Sequence, residues 1–236
     1  MSDLKIRKSA NAGRDGANAV YGGILEAISR QRLAPGTKLP EEGLSQVFGV
    51  SRAQVRSALA NLRQRGLVQM EPNKTAQISE PSASEVLELF SVRSWLEPEL
   101  AAEVARNLTD EQDAMLKGHL QKEQAARDAG DRIEATRLAG LFHTAIASCS
   151  SNAIARKYIE ELVDRSFLAI YLYQRVGEVM CVNEDHSNLL DAFAARDGDA
   201  AAKSMREHLA HVLTRLDLET DEESSPDLTE AFRGIV

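Results

Sequence analysis

The 236 residues suit one large domain or two ordinary ones, and a composition of 43% hydrophobic and 27% charged residues is that of a chain with a water-soluble packed core. No apolar run reaches the roughly 18 residues of a membrane span. The polar, lysine-bearing start has no apolar secretion stretch, and Cys149 and Cys181 form no disulfide framework, so a cytoplasmic protein with reduced thiols is expected. The net charge of −8 conceals a reversal: residues 1–79 hold 12 Lys and Arg against 6 acids, a charge of +6, which leaves −14 on residues 80–236. Two domains with different partners follow, the basic one suited to phosphate.

In chain order, residues 1–16 are polar with Gly13 and Gly16 and read as a flexible arm. Val20, Ile24, Leu25 and Ile28 recur at helical spacing until Ala34-Pro35-Gly36 stops them. Leu39, Leu44, Val47 and Phe48 predict a short second helix ended by Gly49. Ser51 caps a third, whose apolar stripe is Val55, Leu59 and Leu62, with Gly66 as its stop. Leu67–Met70 and Thr75–Ile78 flank a Pro-Asn turn and predict a small hairpin. Residues 79–84, with Pro81, form the linker.

Everything beyond the linker reads as helix. Residues 84–107 are amphipathic, and Pro98 inside them should kink or split the helix. Thr109 with Gln112 is a capping box for the next helix. A third runs from Gly130-Asp131 toward Ser148, and a fourth from Ser150-Ser151-Asn152 to about Val176. A fifth covers Asn183 to Arg196, and a sixth carries Met205, Leu209, Val212 and Leu216. Residues 219–236 are acidic and serine-rich and read as a flexible tail. The predicted architecture is mainly α: a winged helix-turn-helix over 17–80 and an all-α bundle over 84–218.

In a winged helix-turn-helix the third helix enters the major groove, so its outer face must carry donors. Arg52, Gln54, Arg56 and Ser57 alternate with the inward Val55 and Leu59. Arginine can read guanine and glutamine adenine. Arg63, Arg65 and Lys74, at the helix end and in the wing, are candidates for phosphate. These stretches resemble the N-terminal domain of GntR-type regulators: Ala34-Pro35-Gly36-Thr37-Lys38-Leu39-Pro40-Glu41, Phe48-Gly49-Val50-Ser51-Arg52, Val55-Arg56-Ser57-Ala58-Leu59 and Arg65-Gly66-Leu67-Val68. The resemblance implies that Arg52 and Arg56 are the principal readers. The chain departs from that pattern at Ala53 and Gln54 (usually Thr-Pro), at Thr75 (usually Gly) and at Glu42 (commonly basic).

The second half resembles the FCD sensor domain of the FadR-like branch, through Arg93 with Leu96-Glu97-Pro98, Phe142-His143 with Ser151-Asn152, His186 with Leu189-Leu190, and Gly198-Asp199 with His208. Of five histidines, His143, His186 and His208 sit on different predicted helices beside inward apolar residues, where a bundle can converge them on a divalent metal such as zinc or nickel. Taken singly, each reads first as a hydrogen-bonded core or surface histidine; taken together, with the family spacing, the three read as a site. Metal-binding relatives usually carry an aspartate one turn before the first of these, where this chain has Ala139. The resemblance also implies that Arg93 takes an effector carboxylate, whereas its spacing to Glu97 fits an i,i+4 salt bridge. Asn152 is an effector contact or a helix cap. The expected function is a ligand-responsive, homodimeric DNA-binding regulator sensing a small carboxylate. A metal-dependent enzyme built on the histidines is the alternative, though no nucleophile–base pair or phosphate-cradling glycine loop stands out.

Overall fold

The computed structural model describes residues 2–175 and 183–219, with side chains from residue 15 onward except those of 183 and 184. Helix α1 spans Ser2–Ser29. Over residues 2–16 it stands where an arm is expected, residue 1 lying outside the described residues: glycine within a helix costs only about 1 kcal/mol relative to alanine, and Gly13 and Gly16 do not stop this one. Gly16 is also a point of close approach, where a Cβ would meet the Gln54 side chain. After the turn at Gly36 (φ 75°), α2 (Glu41–Phe48) starts behind Pro40 and stops at Gly49 in the left-handed conformation.

Helix α3 (Arg52–Gln64) opens with a complete capping box, in which the Ser51 amide donates to Gln54 Oε1 at 2.8 Å and the Gln54 amide donates to Ser51 Oγ. Such caps stabilise by about 1 kcal/mol. Gly66 (φ 72°) ends the helix and turns the chain into β1 (Val68–Gln69). That strand pairs antiparallel with β2 (Gln77–Ile78), Val68 opposite Ile78. Val20, Ile24, Ile28, Leu39, Val55, Leu59, Leu62, Leu67 and Ile78 are all buried and close the small core of a winged helix.

Among the described residues six helices follow: α4 (Ala83–Asn107), α5 (Asp110–Asp128), α6 (Arg132–Ser148), α7 (Ala153–Tyr173), α8 (Asn183–Ala194) and α9 (Gly198–Thr214). Helix α4 is the axis of the bundle, touching α6, α7, α8 and α9. It is not split at Pro98, because Phe90, Arg93 and Glu97 before the proline and Leu100, Ala101 and Val104 after it are all buried. Helix α7 stops at Tyr173 rather than near Val176, since Gln174 is extended and pairs with Leu216. Apolar contact is continuous across the two halves, with α1 packed on α7. Of the expected acidic tail, residues 220–236 lie outside the described residues, as does Cys181.

Candidate metal centre and nucleic-acid interface

Helices α6, α8 and α9 each bring one histidine to the middle of the bundle. His143 is 4% exposed, and His186 and His208 are fully buried. His208 Nε2 lies 3.1 Å from His143 Nε2 and 3.3 Å from His186 Nε2. Three ligand nitrogens therefore lie within 4.8 Å of one another. A tetrahedral zinc with bonds of 2.0–2.1 Å separates its nitrogens by about 3.4 Å, close to both short spacings.

Behind every ring stands a carboxylate. His143 Nδ1 donates to Glu97 Oε2 at 2.5 Å, and His186 Nδ1 to Glu123 Oε2 at 2.9 Å. His208 Nδ1 is 3.5 Å from Asp185 Oδ2, and Asp185 also meets His211. A carboxylate at Nδ1 fixes the tautomer with the proton there and leaves the Nε2 lone pair free. The three lone pairs then face one another with no donor between them, an arrangement that a cation relieves. Burial pushes His143 below its ordinary value and His208, with His186 adding to the effect, down to about 3. Both rings are thus held in the neutral form that metals require. Burial acts to raise Glu97 and Glu123, but their basic partners outweigh it: Arg93 and His143 hold Glu97 below the carboxylate range, and His186 and Arg127 bring Glu123 to about 2. The donor set thus fits a divalent ion.

Arg93 is buried and committed. Its Nε and Nη2 bind the two Glu97 oxygens at 2.5 and 3.3 Å, and Nη1 donates to Ser166 Oγ at 3.0 Å. The i,i+4 salt bridge is therefore formed, and the fork expected to meet an effector is engaged within the protein. A small cavity of about 20 Å³ lies against Arg93, Ala139, His143 and Ser166, room for one water rather than a metabolite. Asn152 is exposed and caps α7, its Oδ1 accepting from the Ile154 and Ala155 amides; it does not reach this cavity. His119 contacts the Leu138 carbonyl, and His211 is exposed.

On the outer face of α3 and in the hairpin, Arg52, Arg56, Ser57, Arg63 and Lys74 are exposed. Arg56 Nε donates to both Glu41 oxygens at 2.8 Å, Arg52 lies 3.8 Å from Glu42, and Lys74 pairs with Glu71 at 2.7 Å. The Gln54 carbonyl belongs to the cap, so a bidentate adenine contact would require breaking it. Arg65, expected to meet phosphate, turns inward instead: Nη1 donates to Asp164 at 2.9 Å, and the guanidinium stacks over the Tyr21 ring. Arg165 also faces the winged helix, and Tyr171 lies on the surface.

Two carboxylates behind the triad escape sequence reasoning. Glu123 sits in a charged stretch with no distinguishing pattern, and Asp185 is flagged only by adjacency to His186. Glu97 is visible in the sequence, but only as the i+4 partner of Arg93 and in the Leu96-Glu97-Pro98 match.

Residues 17–78 match the family described as bacterial regulatory proteins, gntR family, and residues 88–211 match the FCD domain. Among similar proteins, the HTH-type transcriptional repressor RspR of Escherichia coli K12 is 28% identical over 82% of this chain and 85% of its own length. The HTH-type transcriptional regulator LutR of Bacillus subtilis is 28% identical over 78% of this chain and 94% of its own. The repressor NanR of Citrobacter rodentium is 28% identical over 80% of each. Among solved structures, E. coli McbR/YncC superposes with a TM-score of 0.75 at 25% identity, covering 84% of this chain and 95% of that one. A GntR regulator from Rhodococcus sp. RHA1 has the same fold, with a TM-score of 0.72 at 20% identity over 87% of this chain and 99% of its own.

Proposed function

The chain belongs to the GntR family of bacterial transcriptional regulators, with an FCD domain as its second half, and on that premise we propose that a divalent metal held by His143, His186 and His208 forms the floor of its sensing site. It is a DNA-binding regulator, and neither the matched families nor the similar proteins give support to an enzyme. The carrying observation is the convergence of three Nε2 atoms, each backed by a carboxylate on the opposite ring nitrogen.

Zinc and nickel both suit an imidazole set. His143, His186 and His208 would hold such an ion as neutral ligands, and it would supply a Lewis-acidic centre able to take water or a small carboxylate. Ala139 adds no acidic ligand to that centre, which favours an anionic effector there. Arg93 then serves the effector indirectly, by holding Glu97 and through it the His143 ring. Full engagement of an effector requires the bundle to widen beyond the present cavity, and that widening is the shape change a regulator needs.

At the other end, Arg52, Arg56 and Ser57 read bases, and Arg63 and Lys74 meet phosphate. Arg52, Arg56 and Lys74 are at present paired with Glu42, Glu41 and Glu71, and surface pairs of that kind contribute little, so giving them up for phosphate costs little. A homodimer would place two such helices on half-sites about one DNA turn apart. No described helix is long and apolar enough to cross a membrane, in keeping with action in the cytoplasm. Elemental analysis of the purified chain and zinc titration of the metal-stripped protein test the metal reading. About one equivalent lost in His208→Ala supports it; no metal and no binding by the wild type sinks it.

A further inference from the structure

Three consecutive residues of α7 join the two ends of the molecule. Asp164 Oδ2 accepts from Arg65 Nη1 at 2.9 Å, and Glu161 stands 3.8 Å from the same guanidinium. Arg165 Nε donates to the Arg65 carbonyl at 2.7 Å. Arg65 is the C-cap of α3, and its carbonyl is among the acceptors a helix end leaves unmatched. A side chain from the sensing domain thus caps the recognition helix, with a cation where the helix dipole favours one. Gly66 permits the approach, since any Cβ there would overlap the Arg165 guanidinium.

The third residue, Ser166, faces the other way. Its hydroxyl accepts from Arg93 Nη1 at 3.0 Å and donates to the Leu162 carbonyl at 2.9 Å. Arg93 holds Glu97, Glu97 holds His143, and His143 meets His208. From the histidine triad to the end of the recognition helix there is an unbroken run of hydrogen bonds and one turn of helix.

We propose that α7 is the transmission element of this regulator: Asp164 and Arg165 are positioning residues for the recognition helix, and Ser166 ties them to the Arg93–Glu97–His143 network. The inference rests on the reading that the triad is the sensing site. A shift of the rings on occupation of that site moves Arg93, Arg93 moves Ser166, and the α3 cap moves with α7. The grip is releasable, because burial pushes the Asp164 carboxyl up to about 6 in spite of Arg65, so the ionised pair is not a deep lock at neutral pH.

The test uses the full chain without added metal, so it does not depend on metal binding. Hydrogen exchange over residues 62–69 and affinity for a DNA fragment selected with the wild-type protein are measured in wild type, Ser166→Ala and Ser166→Thr. Thr keeps the hydroxyl, and the small cavity beside it can take the added methyl. Ser166→Ala should speed exchange at residues 62–69 by about tenfold, leave α5 unchanged and shift DNA affinity at least about fivefold. Ser166→Thr should match wild type on each count. Wild-type exchange and affinity in Ser166→Ala, or equal loss in Ala and Thr, would overturn the relay. A wild type that binds no zinc would sink the metal reading and leave this result standing on its own.

Discussion

The winged helix and the helical bundle both depend on ion pairs, but they spend them differently. In the winged helix Arg52, Arg56 and Lys74 lean on Glu42, Glu41 and Glu71 at the surface, where water screens each pair. In the bundle Glu97, Arg93, His143, His186 and Glu123 are paired out of contact with water. There each partner compensates a charge or polar group that cannot be rehydrated. The surface pairs cost little to break, and the buried set costs much.

Removing one acid from each region breaks the comparison most sharply. Glu97→Ala leaves the Arg93 charge buried without its bidentate partner and should cost about 3–5 kcal/mol in denaturant unfolding. Glu41→Ala should leave the unfolding midpoint at the wild-type value, because Arg56 is already in water. Equal effects would mean that the burial contrast is not what separates the two regions.

Next in size is the triad itself. His208 is the ring that both others touch, so His208→Ala should weaken zinc binding more than about 100-fold in titration, beyond what loss of a supporting carboxylate usually costs. His211→Ala, on the exposed face of the same helix, should bind zinc within a few-fold of wild type. Restoring an acid beside the site sharpens the point: Ala139→Asp lies one turn before His143 and should raise zinc affinity about tenfold by adding a charged ligand. Lower affinity would mean that position 139 does not reach the metal.

The smallest effect belongs to the boundary between the regions. Burial raises Asp164 to about 6 from an ordinary 3.8, with Arg65 opposing and Glu160 and Glu161 reinforcing. The native state therefore binds more proton than the unfolded one between those values. The stabilising contribution of Asp164 is full below about pH 4 and is lost as pH rises through 6. Asp164→Asn should flatten that part of the stability–pH curve measured from pH 4 to 7; an unchanged slope would mean that Asp164 titrates normally.

The sequence carried the elements well because local chemistry wrote them. Ser51 with Gln54, Thr109 with Gln112, and the stops at Gly49 and Gly66 act on their own neighbours, and the structure forms each where the pattern put it. The three histidines were legible from their apolar surroundings and the family spacing. Roles that depend on distant partners were not. Arg65 looked like a phosphate contact because nothing local announces Asp164, 99 residues away. Glu123 becomes a support for His186 only when α5 and α8 pack together. Arg93 had two readings, and only burial decided that Glu97 and Ser166 occupy its donors. At the N-terminus the glycines suggested an arm, but isolated glycines do not outweigh a helix already nucleated downstream.

One measurement bears most directly on the joining of the two regions: the affinity of the wild-type chain for its selected DNA fragment, metal-stripped and zinc-loaded, at one fixed salt concentration. A change of at least about fivefold between the two forms, abolished in His208→Ala, is the predicted result. Equal affinity for both forms, with zinc shown to be bound, would contradict the claim that the buried triad governs the DNA-binding surface.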